Sequence, residues 1–355
     1  MPNTVIIGSG SYLPENIIEG SHFVDSVFYD DNFIRIEKDN EEVIRKFTEI
    51  TEIERRRYID HNLVNSDMAA VAAERAIEDS GIDRETLDYI ICATNFGDVD
   101  NHGQQSFMPS LSAIVKNKLG IKNLKTINYD MIFGCPGWVE AMILADILIK
   151  AGRAKNILVV GSETLSRVTD PNDRNKMIFA DGAGAVVVTA SEDGNAGIIS
   201  HNTLCYNGEE LLYLDNSHTL NPEGDQTKKY IRMRGRKIYE FALKNVPDAI
   251  KATIDGAGIG IDDIDKILIH QANAKMDYAM IERLYKLYGK AEYDHAVSPM
   301  TIQEFGNSSV ATIPTMFDLI RKGKMEGQSF KDHSYIVMTS VGAGMNINAI
   351  VYKFS

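Results

Sequence analysis

Cysteine is scarce: Cys92, Cys135 and Cys205 are the only three in 355 residues. They are too few and too far apart to staple a small fold by disulfides. No Cys-x-x-Cys pair and no His-x-x-x-His spacing occurs, so no metal site is expected. No apolar run approaches the roughly 20 residues that a membrane-spanning helix needs. Met1-Pro2-Asn3-Thr4 carries no basic region ahead of a long apolar stretch. It therefore reads as the lead into a first strand, Val5-Ile6-Ile7, and not as a signal peptide. Together these absences point to a reducing, cytoplasmic setting. Positive charge is also short, with 37 Lys and Arg against 50 Asp and Glu and a formal net charge of -13. Binding a phosphate backbone needs a broad positive surface, so nucleic acid is not an expected partner. An acidic partner has to find a local basic patch.

What is present is ordinary for a folded chain: 44% hydrophobic and 25% charged residues. The chain repeats itself once in register. A helix ends at Ser80-Gly81, an acidic turn follows, and Tyr89-Ile90-Ile91-Cys92-Ala93 reads as a buried strand. In the second half a helix ends at Gly256-Ala257-Gly258, Asp262-Asp263-Ile264-Asp265 makes the turn, and Lys266-Ile267-Leu268-Ile269-His270 is the strand. The strand Thr126 to Phe133 and the helix after Cys135 find their counterpart in the segment ending Gly306-Asn307 and the helix after it. Asn156 to Ser162 matches Ser334 to Ser340. Strands alternating with helices imply α/β architecture with mostly parallel sheets. The duplication divides the chain into halves 1–190 and 191–355, with a site expected where loops of both halves meet. The polar stretch His218 to Lys229 reads as an exposed insertion or lid.

Three residues stand at element junctions. Cys135, in Phe133-Gly134-Cys135-Pro136-Gly137-Trp138, opens a helix, and Pro136 suits the first helical position. A thiol there faces unpaired N–H groups and the positive dipole end, which favour thiolate. It is read either as a nucleophile or as a buried structural cysteine; Cys92 and Cys205 read as structural. His270 ends an apolar strand, where α/β proteins place ligand groups; a hydrogen-bonded core histidine is the alternative. Asn307 reads as a helix N-cap, except that it occupies the duplicate of the Cys135 position. Gly342-Ala343-Gly344 is a tight turn that can bring a backbone N–H close to a ligand. Asp181-Gly182-Ala183-Gly184-Ala185 precedes a β-branched strand, so it is a poor phosphate loop.

Taken in order and spacing, these segments resemble the β-ketoacyl-acyl-carrier-protein synthase III group of the thiolase superfamily almost end to end. The matching stretches are Gly8 to Pro14, Thr51 to Ile59, the Cys135 motif, Gly161 to Arg174, Asp181 to Ala185, His270-Gln271-Ala272-Asn273, Gly306-Asn307-Ser308-Ser309 and Gly342-Ala343-Gly344. The resemblance implies a thiolase-like five-layered αβαβα fold and a homodimer. It implies an acyltransferase that joins two acyl thioesters by Claisen condensation through an acyl-Cys135 intermediate. His270 and Asn307 complete the triad, and the backbone N–H groups of Cys135 and Gly344 form an oxyanion hole. Phe107 falls where the family gates the partner subunit's acyl pocket. Arg174, Arg234, Arg236 and Lys237 fall near the tunnel mouth, facing acyl carrier protein or acyl-CoA. No cofactor beyond the thioester substrates is implied, and fatty acid or polyketide synthesis is the expected setting. Lys46 and Ile50 stand where coenzyme-A-primed members often carry Trp and Arg, and Glu52 replaces a usual Gly. These departures look more like ketosynthases of dialkylresorcinol or cyclohexanedione type, which join two long or carrier-bound acyl chains. A catalytically silent partner subunit is the alternative of another class. A thiolase or hydroxymethylglutaryl-type synthase would want a second active-site Cys or a catalytic Glu, and no motif for either is found.

Overall fold

A computed structural model describes residues 2–192, 194 and 196–355. Two sheets form its frame. The first has five strands in the order Asn3–Tyr12, Asp181–Ser191, Asn156–Thr164, Tyr89–Ala93 and Ile127–Met131. The second has four, in the order Gly197–Cys205, Asn346–Lys353, Tyr335–Gly342 and Ile264–Ile269.

The layers follow from the alternation of side chains along buried strands. On one face of the first sheet, Ile157, Val159, Val186 and Val188 meet the helix Gly137–Lys150. On the facing side of the second sheet, Ile336, Met338, Ile350 and Tyr352 join the same cluster, together with Met316 and Phe317 of the helix Thr312–Arg321. The intervening residues turn outward. Leu158, Val160, Ala185 and Val187 pack on the helices Asn65–Ser80 and Leu111–Lys118. Val337, Ile347 and Val351 pack on Gly235–Gly256 and Ala274–Leu287. The order is thus helix, sheet, helix, sheet, helix. The central helix Gly137–Lys150 buries Trp138, Val139, Met142 and Ile143, which accounts for its almost uninterrupted apolar sequence.

The sheets are mixed, and parallel pairing is less common in them than expected. Among the described residues, three ladders of the core sheets are parallel and four antiparallel. The parallel ladders join strands separated by helical crossovers. The last two strands are linked only by a turn at Ala343–Met345, too short for a crossover. The stretch 218–229 differs too. It links a two-stranded hairpin, Leu214–Ser217 with Tyr230–Met233, but it is not wholly exposed. Thr219 and Leu220 are buried, and the Asp170 carboxylate accepts from the Thr219 hydroxyl and the Leu220 N–H.

Close packing of the outer helix Asn65–Ser80 depends on small residues. A Cβ on Gly10 would lie 2.3 Å from the Ala72 carbonyl oxygen, and one on Gly8 the same distance from that of Ala76. Gly10→Ala is expected to destabilise the fold by about 1–3 kcal/mol in urea unfolding, because the clash is with backbone. Gly235→Ala, which meets no atom within 4 Å, is the control and should stay within experimental error of the parent.

Candidate active site

The helices Gly137–Lys150 and Thr312–Arg321 occupy the same central layer, and their leading ends are built alike. Cys135 stands immediately before Pro136, the N-cap of its helix. Asn307 stands immediately before Ser308, the N-cap of the turn Ser309–Ala311 that leads into the second helix. Cys135 thus lies just outside its helix instead of opening it. Pro136 is the N-cap and not the first helical residue.

The Cys135 turn interlocks with the Gly342-Ala343-Gly344 turn. Gly134 has φ +69°, and a Cβ there would meet the Ala343 N at 2.7 Å. A Cβ on Gly342 would lie 2.6 Å from the Cys135 N. Gly344 is also left-handed, with φ +76°, and its carbonyl accepts from Asn207 Nδ2 at 2.7 Å. Only residues without a Cβ allow the two backbones this approach.

His270 follows the strand Ile264–Ile269 and is 3% exposed. The rest of its motif is structural. Gln271 Oε1 accepts from the N–H groups of Thr301 and Ile302, and Gln271 Nε2 donates to the Pro299 carbonyl. Asn273 caps the helix Ala274–Leu287 through the Met276 N–H. These bonds fix the loop and leave His270 Nδ1 buried without a partner. Asn307 is 2% exposed and is held by backbone bonds from its N–H to the Ile178 carbonyl and from the Ala180 N–H to its own carbonyl.

Ser309 ties the three together. Its N–H donates to Asn307 Oδ1 at 2.7 Å, which leaves the Asn307 amide NH2 as the free end. Its hydroxyl is placed to favour the Cys135 thiolate, and its backbone to favour a charged His270. Ser309 is 5% exposed and holds φ +52°, a left-handed conformation that a non-glycine residue adopts only when its surroundings impose it. Sequence reading passed over this role, because a serine carries no sign that its backbone will be left-handed. It also missed Asn95 and Glu163. Asn95 Oδ1 accepts from the Gly134 N–H at 2.9 Å, and Glu163 accepts from Asn95.

Burial governs the charges. It pushes the Cys135 thiol up to about 11, against a lowering by the Ser309 hydrogen bond and a further rise from Glu163. It pushes His270 down to about 4. Both groups are therefore neutral near pH 7.

Two cavities flank this cluster. An inner one of about 330 Å³ is lined by Cys135, Ser309, Gly344 and apolar residues including Phe96, Leu165, Phe179 and Ile231. An outer one of about 720 Å³ is lined by Arg174, Arg236, Lys46, Ile50, Ala272 and Asn273. Of the expected mouth residues, Arg174 and Arg236 line it. Arg234 caps the helix Gly235–Gly256 outside it, and Lys237 lies over the Tyr213 ring at 5.2 Å. Phe107 lines neither cavity and is 45% exposed. Among the described residues no His, Cys, Asp and Glu cluster is arranged to hold a metal ion. No helix among them is long and apolar enough to cross a membrane.

The sequence profile of 3-oxoacyl-[acyl-carrier-protein] synthase III matches residues 129–206, and that of its C-terminal part matches residues 254–354. The chain is 34% identical to a β-ketoacyl-[acyl-carrier-protein] synthase III of Clostridium acetobutylicum, covering all of both chains. It is 33% identical to one of Staphylococcus haemolyticus, over 99% of each. The crystal structure of 3-oxoacyl-[acyl-carrier-protein] synthase III from Aquifex aeolicus superposes with a TM-score of 0.80 at 30% identity, covering 99% of this chain and 100% of that one. The fold is that of the thiolase-like condensing enzymes. The chain belongs to the 3-oxoacyl-ACP synthase III family, acyltransferases that form a carbon–carbon bond by Claisen condensation.

The burial of His270 has a measurable consequence. Its folded pKa lies below the unfolded value of roughly 6.5, so its contribution to stability is present above that pH and is lost as pH falls towards about 4. In a ¹⁵N NMR titration the His270 imidazole should stay neutral at pH 5, where an exposed histidine is charged.

Proposed function

We propose that this chain condenses two acyl thioesters through an acyl group held on Cys135. In the first half-reaction the Cys135 sulfur attacks the thioester carbonyl, the carrier thiol leaves with the proton, and the acyl chain lies in the inner cavity. The N–H groups of Cys135 and Gly344 hold the oxyanion; one such donor typically contributes about 3 kcal/mol. In the second half-reaction His270 and the free Asn307 amide hydrogen-bond the carbonyl of the second thioester. Loss of a proton or of CO2 there leaves an enolate. The enolate carbon attacks the acyl group, and the Cys135 sulfur departs. The observation that carries this reading is Ser309, which bonds the Asn307 amide oxygen and lines the inner cavity together with Cys135 and Gly344.

The thioesters are those of acyl carrier protein or coenzyme A, delivered through the outer cavity past Arg174 and Arg236, with no other cofactor. The relatives' names support acyl carrier protein as donor. A cytoplasmic enzyme, as a homodimer, fits the same reading. Its support is an apolar surface at the edge of the first sheet: Ile127 and Tyr129 on the strand Ile127–Met131, with Leu124 and Ile132 exposed just before and after it in the chain. Ile132 also lines the inner cavity, so the acyl pocket is completed at that surface, where a partner's Phe107 would enter. The halves 1–190 and 191–355 belong to this reading as well: the strands of the first sheet end by Ser191 and those of the second begin at Gly197.

Incubation with an acyl thioester should place one acyl group on the Cys135 peptide, read by mass spectrometry. Cys135→Ala should lose it, while His270→Ala should keep it and lose condensation by about a hundredfold or more. An unlabelled parent protein would instead mark a silent subunit. Light scattering should give twice the chain mass, and Ile127→Glu should shift it towards the monomer.

A further inference from the structure

The condensation scheme leaves unused a buried carboxyl that is linked through Asn95 to the nucleophile turn. Glu163, near the end of the strand Asn156–Thr164, is 0% exposed. Its Oε1 accepts from both the backbone N–H and the Nδ2 of Asn95, at 2.6 and 2.8 Å. Its Oε2 receives only a long bond from the Thr94 hydroxyl, 3.3 Å. With its NH2 committed to Glu163, the Asn95 amide has one orientation, and its Oδ1 accepts from the Gly134 N–H at 2.9 Å. Gly134 is the left-handed residue directly before Cys135. A continuous relay of hydrogen bonds therefore runs from a buried carboxyl to the backbone of the nucleophile turn. Burying a carboxyl is costly, and a fold that needed only packing here would be served by an apolar residue.

We propose that Glu163 is a positioning residue for the acylation step: through Asn95 it fixes the Gly134–Cys135 turn, and its charge state sets how readily the thiol gives up its proton. This rests on the acyl-Cys135 reading. Two kinds of observation support it. The first is the relay, which holds the peptide that presents both the thiol and the Cys135 N–H. The second is electrostatic. The titratable groups that face Glu163 are Cys135 and, on the neighbouring strand, the buried Asp181. Burial pushes Glu163 up to about 8, with Asp181 adding to the rise. A neutral Glu163 leaves the thiol free of a like charge. An ionised one opposes the thiolate, so the two groups titrate as a coupled pair.

The test is the pH dependence of Cys135 alkylation by iodoacetamide, followed on the Cys135 peptide so that exposed Cys205 does not contribute. In the parent, the logarithm of the rate should rise with pH, flatten across about 8 as Glu163 ionises, and rise again. Glu163→Gln keeps the acceptor for Asn95 and removes the charge. Its profile should be a single unbroken rise, about three- to tenfold faster at pH 9. Asn95→Ala, which cuts the relay, should lower kcat for acylation about tenfold or more with KM little changed, since the lost bond aligns the reacting atoms and not the bound thioester. A Glu163→Gln profile that superimposes on the parent's, or an Asn95→Ala enzyme that acylates at the parental rate, overturns the proposal. A parent protein that takes up no acyl group would overturn the condensation reading instead, and the alkylation profile would still decide the role of Glu163.

Discussion

The structure depends on a helical layer held between two sheets, with its leading ends buried. Gly137–Lys150 and Thr312–Arg321 lie between two sheets, so their leading ends meet no bulk water. The first N–H groups of any helix lack partners within the helix. On a surface helix, water satisfies them. Here protein holds the turns that lead into the helices: Asn95 accepts from the Gly134 N–H, Asn307 from the Ser309 N–H, and glycines whose Cβ would collide with backbone allow the close approach. The same requirement that keeps the central layer stable produces a small polar chamber in the middle of an apolar protein. Two such ends lie in the one layer, one preceded by a thiol and the other by an amide.

Much of this was legible in the chain because it lies at junctions. Cys135 and Asn307 each follow a glycine, His270 follows an apolar strand, and the repeat predicts that loops of both halves converge. The layers follow from the same periodicity. Strand direction was less legible, because it depends on whether a connection is long enough to cross over, and the Ala343–Met345 turn is not. Glu163 escaped notice for a different reason. It sits in Val159-Val160-Gly161-Ser162-Glu163, where it reads as the polar end of a buried strand. Its meaning comes from Asn95, 68 positions away and adjacent only because the two strands pair in parallel. Ser309 is illegible in a third way: the left-handed backbone is imposed by what it must bond, not by its own preference.

The two cavities are separated by the segment Ile178–Phe179. Ile178 lines the outer one and Phe179 the inner one, and the backbone of Asn307 pairs with this segment on both sides. The backbone of Asn307 is thereby built into the partition, and the chambers do not merge. That geometry suits a reaction in two halves, in which one acyl group waits while a second arrives by another route. Lys46 and Ile50 line the outer chamber, so the departures noted in the sequence fall on the entrance and leave the chemistry intact.

The charge balance bears on the order of events. A helix N-terminus stabilises an anion by about 0.3–1 kcal/mol, and up to about 2 in a favourable buried setting. Raising a thiol from 9.0 to about 11 corresponds to about 3 kcal/mol in the opposite direction. Burial therefore outweighs the helix end, and the free enzyme holds a thiol. With His270 also neutral, the chamber carries no ion pair of the cysteine–histidine kind before substrate arrives. On the proposed acyl-Cys135 reading, the proton leaves as the sulfur attacks and not beforehand. In that reading the carrier's departing thiolate is the base that finally takes the proton. A neutral imidazole and a neutral amide are the donors suited to the step that follows: they stabilise the enolate oxygen by hydrogen bonds that strengthen as charge develops, without an imidazolium already neutralised by a cysteine thiolate.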